Sequence, residues 1–178
     1  MIITDIDKLR VKSIDTSVEE CKSKFVFYHL LRELTANPLG IGLGAIQIGI
    51  PLRAAVITTK NETLSMINPV IIEQKHLTQF PGEGCLSLPG VYVTTERYNS
   101  IIVEWLDYNS QSKKKALLRG RDAIAVQHEI DHFEGILMID KEVIKRDRKI
   151  SRNDPCPVCR AQGKTVKWKK CKEHNSSV

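Results

Sequence analysis

The chain has no run of about eighteen apolar residues, so no helix spanning a membrane is predicted. Its first ten residues, MIITDIDKLR, lack the basic start and long apolar stretch of a secretory signal. It contains no internal repeat. The glycine-rich stretch Gly40 to Gly49 lacks a Lys-Ser/Thr, completes no dinucleotide fingerprint and follows a predicted helix rather than a strand. All three points argue against nucleotide binding. Disulfides are not expected either. Five cysteines is an odd number, and without a secretory signal they read as metal ligands or free thiols in a reducing cytoplasm.

What is there suits one core domain with a small appendage in 178 residues. The formal charge is +6, with much of the excess after Lys141. Such a tail favours nucleic acid or an anionic surface, or is simply a solvated face. Ser17 to Ala36 is predicted as a helix, N-capped by Ser17 with Glu20 three residues on and ended by Asn37-Pro38. Strands are predicted over 53–59, 64–73, 91–95 and 100–106, with a short edge strand over 116–118. A second, mostly apolar helix is predicted over 121–134, stopped by Gly135. Two helices separated by a run of strands imply an α+β fold, with antiparallel or mixed sheets around the second helix.

That second helix carries His128-Glu129-Ile130-Asp131-His132. Positions i and i+4 share a helix face, so both imidazoles can reach one metal ion while Glu129 handles a proton. Mutual hydrogen bonds are the plainer way to compensate such buried polar groups. A catalytic site usually has three protein ligands and an open position. Downstream of His132 there are Glu134 and Asp140. Upstream, Cys85 lies among Gly82, Gly84 and Gly90, where backbone permits close approach, and is the better candidate. A buried structural thiol is the alternative. Gln47, ending the glycine-rich stretch, can donate to a developing oxyanion, or is an ordinary surface amide.

Three segments together resemble peptide deformylase: Gly40 to Gln47, Glu83-Gly84-Cys85-Leu86-Ser87, and Gln127-His128-Glu129-Ile130-Asp131-His132. The resemblance covers about residues 1–140, and a catalytic domain of 1–150 is expected. It departs at Gly44, where the family usually has Ala, and at Tyr92, where many bacterial members have Arg. It implies metal ligands Cys85, His128 and His132 around one divalent ion, commonly Fe²⁺, with Zn²⁺, Ni²⁺ or Co²⁺ able to substitute. It implies that water attacks the formyl carbon of a formyl-methionyl nascent chain, with Glu129 as general base and then acid. Gln47 and the Leu86 N–H would stabilise the oxyanion. Ile41, Ile124 and Ala125 would hold the methionine side chain, although core packing is the simpler role of Ile124 and Ala125. The substrate backbone would pair near Gly42 and Gly84. A monomer is expected.

A tail module is expected over 151–178. Cys156-x₂-Cys159 and, eleven residues on, Cys171-x₂-His174 form a four-ligand zinc pattern. The alternative is a disordered basic tail with incidental thiols. Arg152 to Pro157 with Lys169-Lys170-Cys171 partly resembles the zinc-binding SEC-C motif of the SecA translocase motor. Resemblance to bacterial deformylases, which often end in a ribosome-docking helix, implies a shortened helix over 141–150 and a basic tail contacting ribosomal RNA. Two other functions compete with the deformylase reading. One is a metalloendopeptidase using the same helix, and the other a non-catalytic zinc-bearing module that binds ribosome or protein.

Overall fold

The computed structural model describes residues 1–143. The expected helix over 141–150 falls largely beyond them, and the zinc module over 151–178 lies wholly outside them. The elements in order are α1 (Ile6–Leu9), α2 (Val18–Ser23), α3 (Val26–Ala36), β1 (Gly42–Gly44), a 3₁₀ turn (Ala45–Ile48), β2 (Ala54–Thr58), β3 (Thr63–Cys85), β4 (Leu88–Asp107), β5 (Lys113–Arg119), α4 (Arg121–Phe133) and a second 3₁₀ turn (Met138–Lys141). The strands form one sheet in the order β1-β2-β3-β4-β5, antiparallel at every pairing. The fold is α+β, as the element pattern implies. Among the described residues no helix is long and apolar enough to cross a membrane.

The helix expected over Ser17 to Ala36 is two helices. Ser17 caps the first by accepting from the Glu20 N–H. Phe25 then adopts a left-handed conformation, φ 50°, and turns the chain into α3. The reorientation buries Val26, Phe27, Leu30 and Leu34 and leaves Phe25 and Tyr28 exposed. The strands expected over 64–73, 91–95 and 100–106 are parts of two long strands, β3 and β4, which pair along most of their length. Register shifts between Ile67/Val70, Ile71/Glu73, Phe80/Glu83 and Gly84/Cys85 let the ribbon bend.

Three apolar clusters fill the interior. One joins α2 and α3 to β1 and β2; a second seats α4 on the sheet; a third joins α1 to the β3–β4 tip and the second 3₁₀ turn. Leu86 packs on the first, Ile41 on the second and Cys85 on the third. The clusters therefore meet where the sequence places its candidate site.

The C-terminal turn is fixed from both sides. Gly135, at φ 71°, ends α4, and a Cβ there would lie 2.4 Å from the Arg10 carbonyl oxygen. Arg10 grips Asp140 through two N–H···O bonds of 2.8 Å, and Asp140 accepts from the Leu137 N–H. Glu142 and Val143, the last described residues, are extended: Glu142 bridges Thr95, and the Val143 N–H donates to the Thr94 carbonyl.

Burial alone would raise the Asp140 carboxyl, but Arg10 and the Leu137 N–H outweigh it and hold it below its ordinary value. A carboxyl lowered in the folded state stabilises above its unfolded pKa and loses that contribution as pH falls through the folded one. Asp140→Asn should therefore cost about 1 kcal/mol near neutrality, the upper end for a partly exposed pair. In urea unfolding over a descending pH series the gap to the parent should close. A gap that does not change with pH would refute the ion pair as its cause.

Candidate active site

Cys85 pairs with Leu88 across a two-residue turn, Leu86–Ser87. The turn fixes the thiol at the end of a rigid ribbon and brings it to α4. There Cys85, His128 and His132 present ligand atoms that all lie within 4.8 Å of one another. Cys85 Sγ is 3.3 Å from His132 Nε2. Sequence reasoning joined these residues across more than forty positions, and the fold brings all three together.

The support of His128 was not foreseen. Its Nδ1 lies 2.7 Å from Glu83 Oε1, which leaves Nε2 as the atom turned to Cys85. Glu83 also accepts from Thr95 Oγ1 at 2.5 Å and from Arg97 Nη2 and Nε at 2.6 and 2.8 Å. Arg97, 1% exposed, binds Asp131 as well, and Asp131 accepts from Lys141 Nζ at 2.8 Å. One signal for Arg97 exists in the sequence. Val91, Val93, Thr95 and Arg97 alternate on the inward face of β4, so a period of two puts the guanidinium inside, where it needs anions.

Electrostatics follow from this packing. Burial would raise Glu83, but His128 and Arg97 overcome it and hold the carboxyl far below the usual range. Burial also opposes charge on His128, yet Cys85, Glu83 and Glu129 together favour protonation, so the position attracts positive charge. His132 is pushed toward neutrality by burial and by the positive charge at His128 and Arg97. Glu129 is buried, and its Oε2 has no hydrogen-bond partner among the described residues. Burial pushes it up to about 7 against the pull of His128.

The donor chemistry fits a divalent cation. One thiol and two imidazoles suit several borderline metals, and a ligand histidine backed by a carboxylate is the usual support for such an ion. Glu129 lines the same cleft as Cys85 and His128.

The glycine-rich stretch has a second use. A Cβ at Gly42 would stand 2.7 Å from Glu129 Oε1, and one at Gly44 would stand 3.0 Å from Oε2. β1 thus makes room for the carboxylate through its missing side chains. The Gly44 N–H donates to Gln47 Oε1 at 2.8 Å, which turns Gln47 Nε2 toward Ser87 Oγ (3.1 Å) and Cys85 Sγ (3.4 Å). Gln47 is a buried, oriented amide rather than a surface one. The Leu86 N–H, next in the chain after Cys85, donates to no backbone carbonyl of the described residues. Ile41, Gly42, Gly84, Ile124 and Ala125 all line the adjoining cleft of about 450 Å³. Ala125 also packs in the second core cluster. Tyr92, 67% exposed, lays its ring against Gly84 at the rim.

Removing the Arg97 guanidinium leaves buried Glu83 to His128 and Thr95 and Asp131 to Lys141 alone, and breaking a buried charge pair typically costs about 3–5 kcal/mol. Arg97→Leu should destabilise the metal-free protein by that much in urea unfolding. A loss below about 1 kcal/mol, the worth of an exposed pair, would show the network to be energetically idle.

Residues 2–149 match the family model for polypeptide deformylase. A peptide deformylase of Pelagibacter ubique is 39% identical over 168 residues, covering 85% of this chain and 95% of that one. Among solved structures, a Legionella pneumophila peptide deformylase superposes with a TM-score of 0.75 at 27% identity, over 95% of this chain and 94% of that one. A Synechococcus elongatus peptide deformylase in complex with actinonin gives 0.74 at 30% identity, over 93% and 84%. A match of this extent, on a chain whose thiol, two imidazoles and buried glutamate converge as described, makes it a member of the peptide deformylase family.

Proposed function

We propose that the chain removes the formyl group from the N-terminal methionine of nascent polypeptides, releasing formate and a free amine. It is an enzyme, and its family is metal-dependent. The observation that carries the reading is Glu129, buried with an unpartnered oxygen, beside three ligand atoms within 4.8 Å of one another.

Cys85, His128 and His132 would hold one divalent ion, with Fe²⁺ our assignment and Zn²⁺, Ni²⁺ or Co²⁺ able to substitute. When bound, such an ion supplies a Lewis acid that makes water nucleophilic near neutral pH. Glu129 takes the proton of the attacking water, and its raised pKa suits it to return that proton to the leaving amine. Gln47 Nε2, already aimed at the sulfur, and the Leu86 N–H donate to the oxygen that gains charge. Ile41, Ile124 and Ala125 seat the methionine side chain in the cleft, and the peptide backbone runs along Gly42 and Gly84. β1 is an edge strand of the sheet, which leaves its far side open for such pairing.

The same reading has the enzyme working as a monomer in the cytoplasm, where nascent chains emerge. The endopeptidase alternative loses its appeal because Cys85, not a residue after His132, completes the ligand set.

Glu129→Gln should keep the metal and lose nearly all turnover of formyl-Met-Ala-Ser, measured as formate release. Cys85→Ser should lower metal content in elemental analysis. A Glu129→Gln enzyme with substantial activity, or a Cys85→Ser protein with full metal, would overturn these assignments.

The tail is a separate proposal that rests on sequence alone. We propose that residues 151–178 form a module of their own, in which Cys156, Cys159, Cys171 and His174 hold Zn²⁺ and the surrounding Lys and Arg contact ribosomal RNA. Elemental analysis should find two metals per chain, falling to one on truncation at Arg152. The truncated protein should also pellet less with ribosomes, and the difference should shrink as salt rises. An unchanged metal count, or equal pelleting at every salt concentration, would remove the idea.

A further inference from the structure

We infer that Lys141 is a positioning residue for the metal ligand His128, acting through Asp131, Arg97 and Glu83. The inference rests on the ligand assignment proposed above.

The path is continuous. Lys141 Nζ donates to Asp131 Oδ1 at 2.8 Å, and Asp131 Oδ2 binds Arg97 Nη1. The two remaining arms of Arg97 grip both oxygens of Glu83, at 2.6 and 2.8 Å. Glu83 Oε1 then meets His128 Nδ1 at 2.7 Å. Two carboxylates and two cations alternate along it. With Lys141 in place Asp131 is satisfied by two partners, and the Arg97 fork is divided between two anions. Without it Asp131 must draw wholly on Arg97, and the fork tilts from Glu83. The carboxylate that aims the imidazole then loses its fixed seat.

Lys141 differs from the rest of this path in its place on the molecule. Its side chain is 38% exposed, against 1% for Arg97 and 4% for Glu83. It closes the 3₁₀ turn that Arg10 and Asp140 anchor, so its backbone is held. The next two residues pair with Thr94 and Thr95, and Thr95 Oγ1 donates to Glu83 Oε2. Residues 141–143 thus touch the support of Glu83 along two routes.

A partly exposed lysine contributes little to folding, so a merely structural role predicts almost no effect. Loss of a partner behind a metal ligand typically weakens the metal by about 10–100-fold. Lys141 is further removed and should sit near the low end. The test uses the full-length protein loaded with Co²⁺ and follows release into a chelator. Lys141→Gln should release Co²⁺ about tenfold faster than the parent, while its metal-free form unfolds at the parent's temperature. Lys141→Arg, which keeps the charge, should restore slow release. Equal release by Lys141→Gln and the parent would overturn the inference, as would Lys141→Arg behaving like Lys141→Gln. A metal-free Lys141→Gln protein with a clearly lower melting temperature would do so too, since general loosening then explains the release. Were the parent to hold no more Co²⁺ than Cys85→Ser, the ligand assignment itself would fail instead.

Discussion

Burying a carboxylate is expensive, and this protein buries Glu83, Asp131 and Glu129 close together. One guanidinium decides how that cost is distributed. Arg97 binds both Glu83 and Asp131, which serve as fixed supports. It makes no hydrogen bond to Glu129. The third carboxylate is therefore the one whose charge the interior resists, and it is the one with an unpartnered oxygen. Of three residues of one chemical kind, two are held by the Arg97 guanidinium and the third is not.

The architecture serves that arrangement. α4 supplies His128, Glu129, Asp131 and His132 within one and a half turns, so their mutual geometry is set by helix pitch. The β3–β4 ribbon supplies Glu83, Cys85, Thr95 and Arg97, whose geometry is set by antiparallel pairing. β1 contributes mostly by what it lacks, leaving space for Glu129, and by orienting Gln47 through one backbone N–H. Two rigid frames meet, and the chemistry is placed at their junction.

Much of this was legible in the sequence. The spacing of His128 and His132 declares a shared helix face. The glycines around Cys85 mark a tight approach, and Gly135 marks a helix stop. The break at Phe25 was not legible, because an apolar aromatic inside a helical pattern gives no warning of a left-handed residue. Only burying Val26 and Phe27 justifies it. Nor did the strands announce their length: polar residues interrupt the apolar alternation between Glu73 and Phe80, where much of the ribbon is exposed and pairing alone sustains it. Arg97 and Lys141 were passed over because a lone basic residue normally reads as surface. Gly42 was read for a substrate and Gly44 only as a departure from the family pattern, while the structure shows both accommodating the protein's own glutamate.

The turn at Leu86–Ser87 has an evolutionary consequence. The sulfur at 85 and the free N–H at 86 occupy consecutive positions, so their relative direction is dictated by the pleat. Adding a single residue to that tip would swing one of them to the opposite side of the ribbon. The bulge between Phe80 and Glu83, by contrast, already absorbs a mismatch in strand count upstream. Length variation in this ribbon should collect on the far side of that bulge, and the final hairpin should be inherited as an indivisible unit.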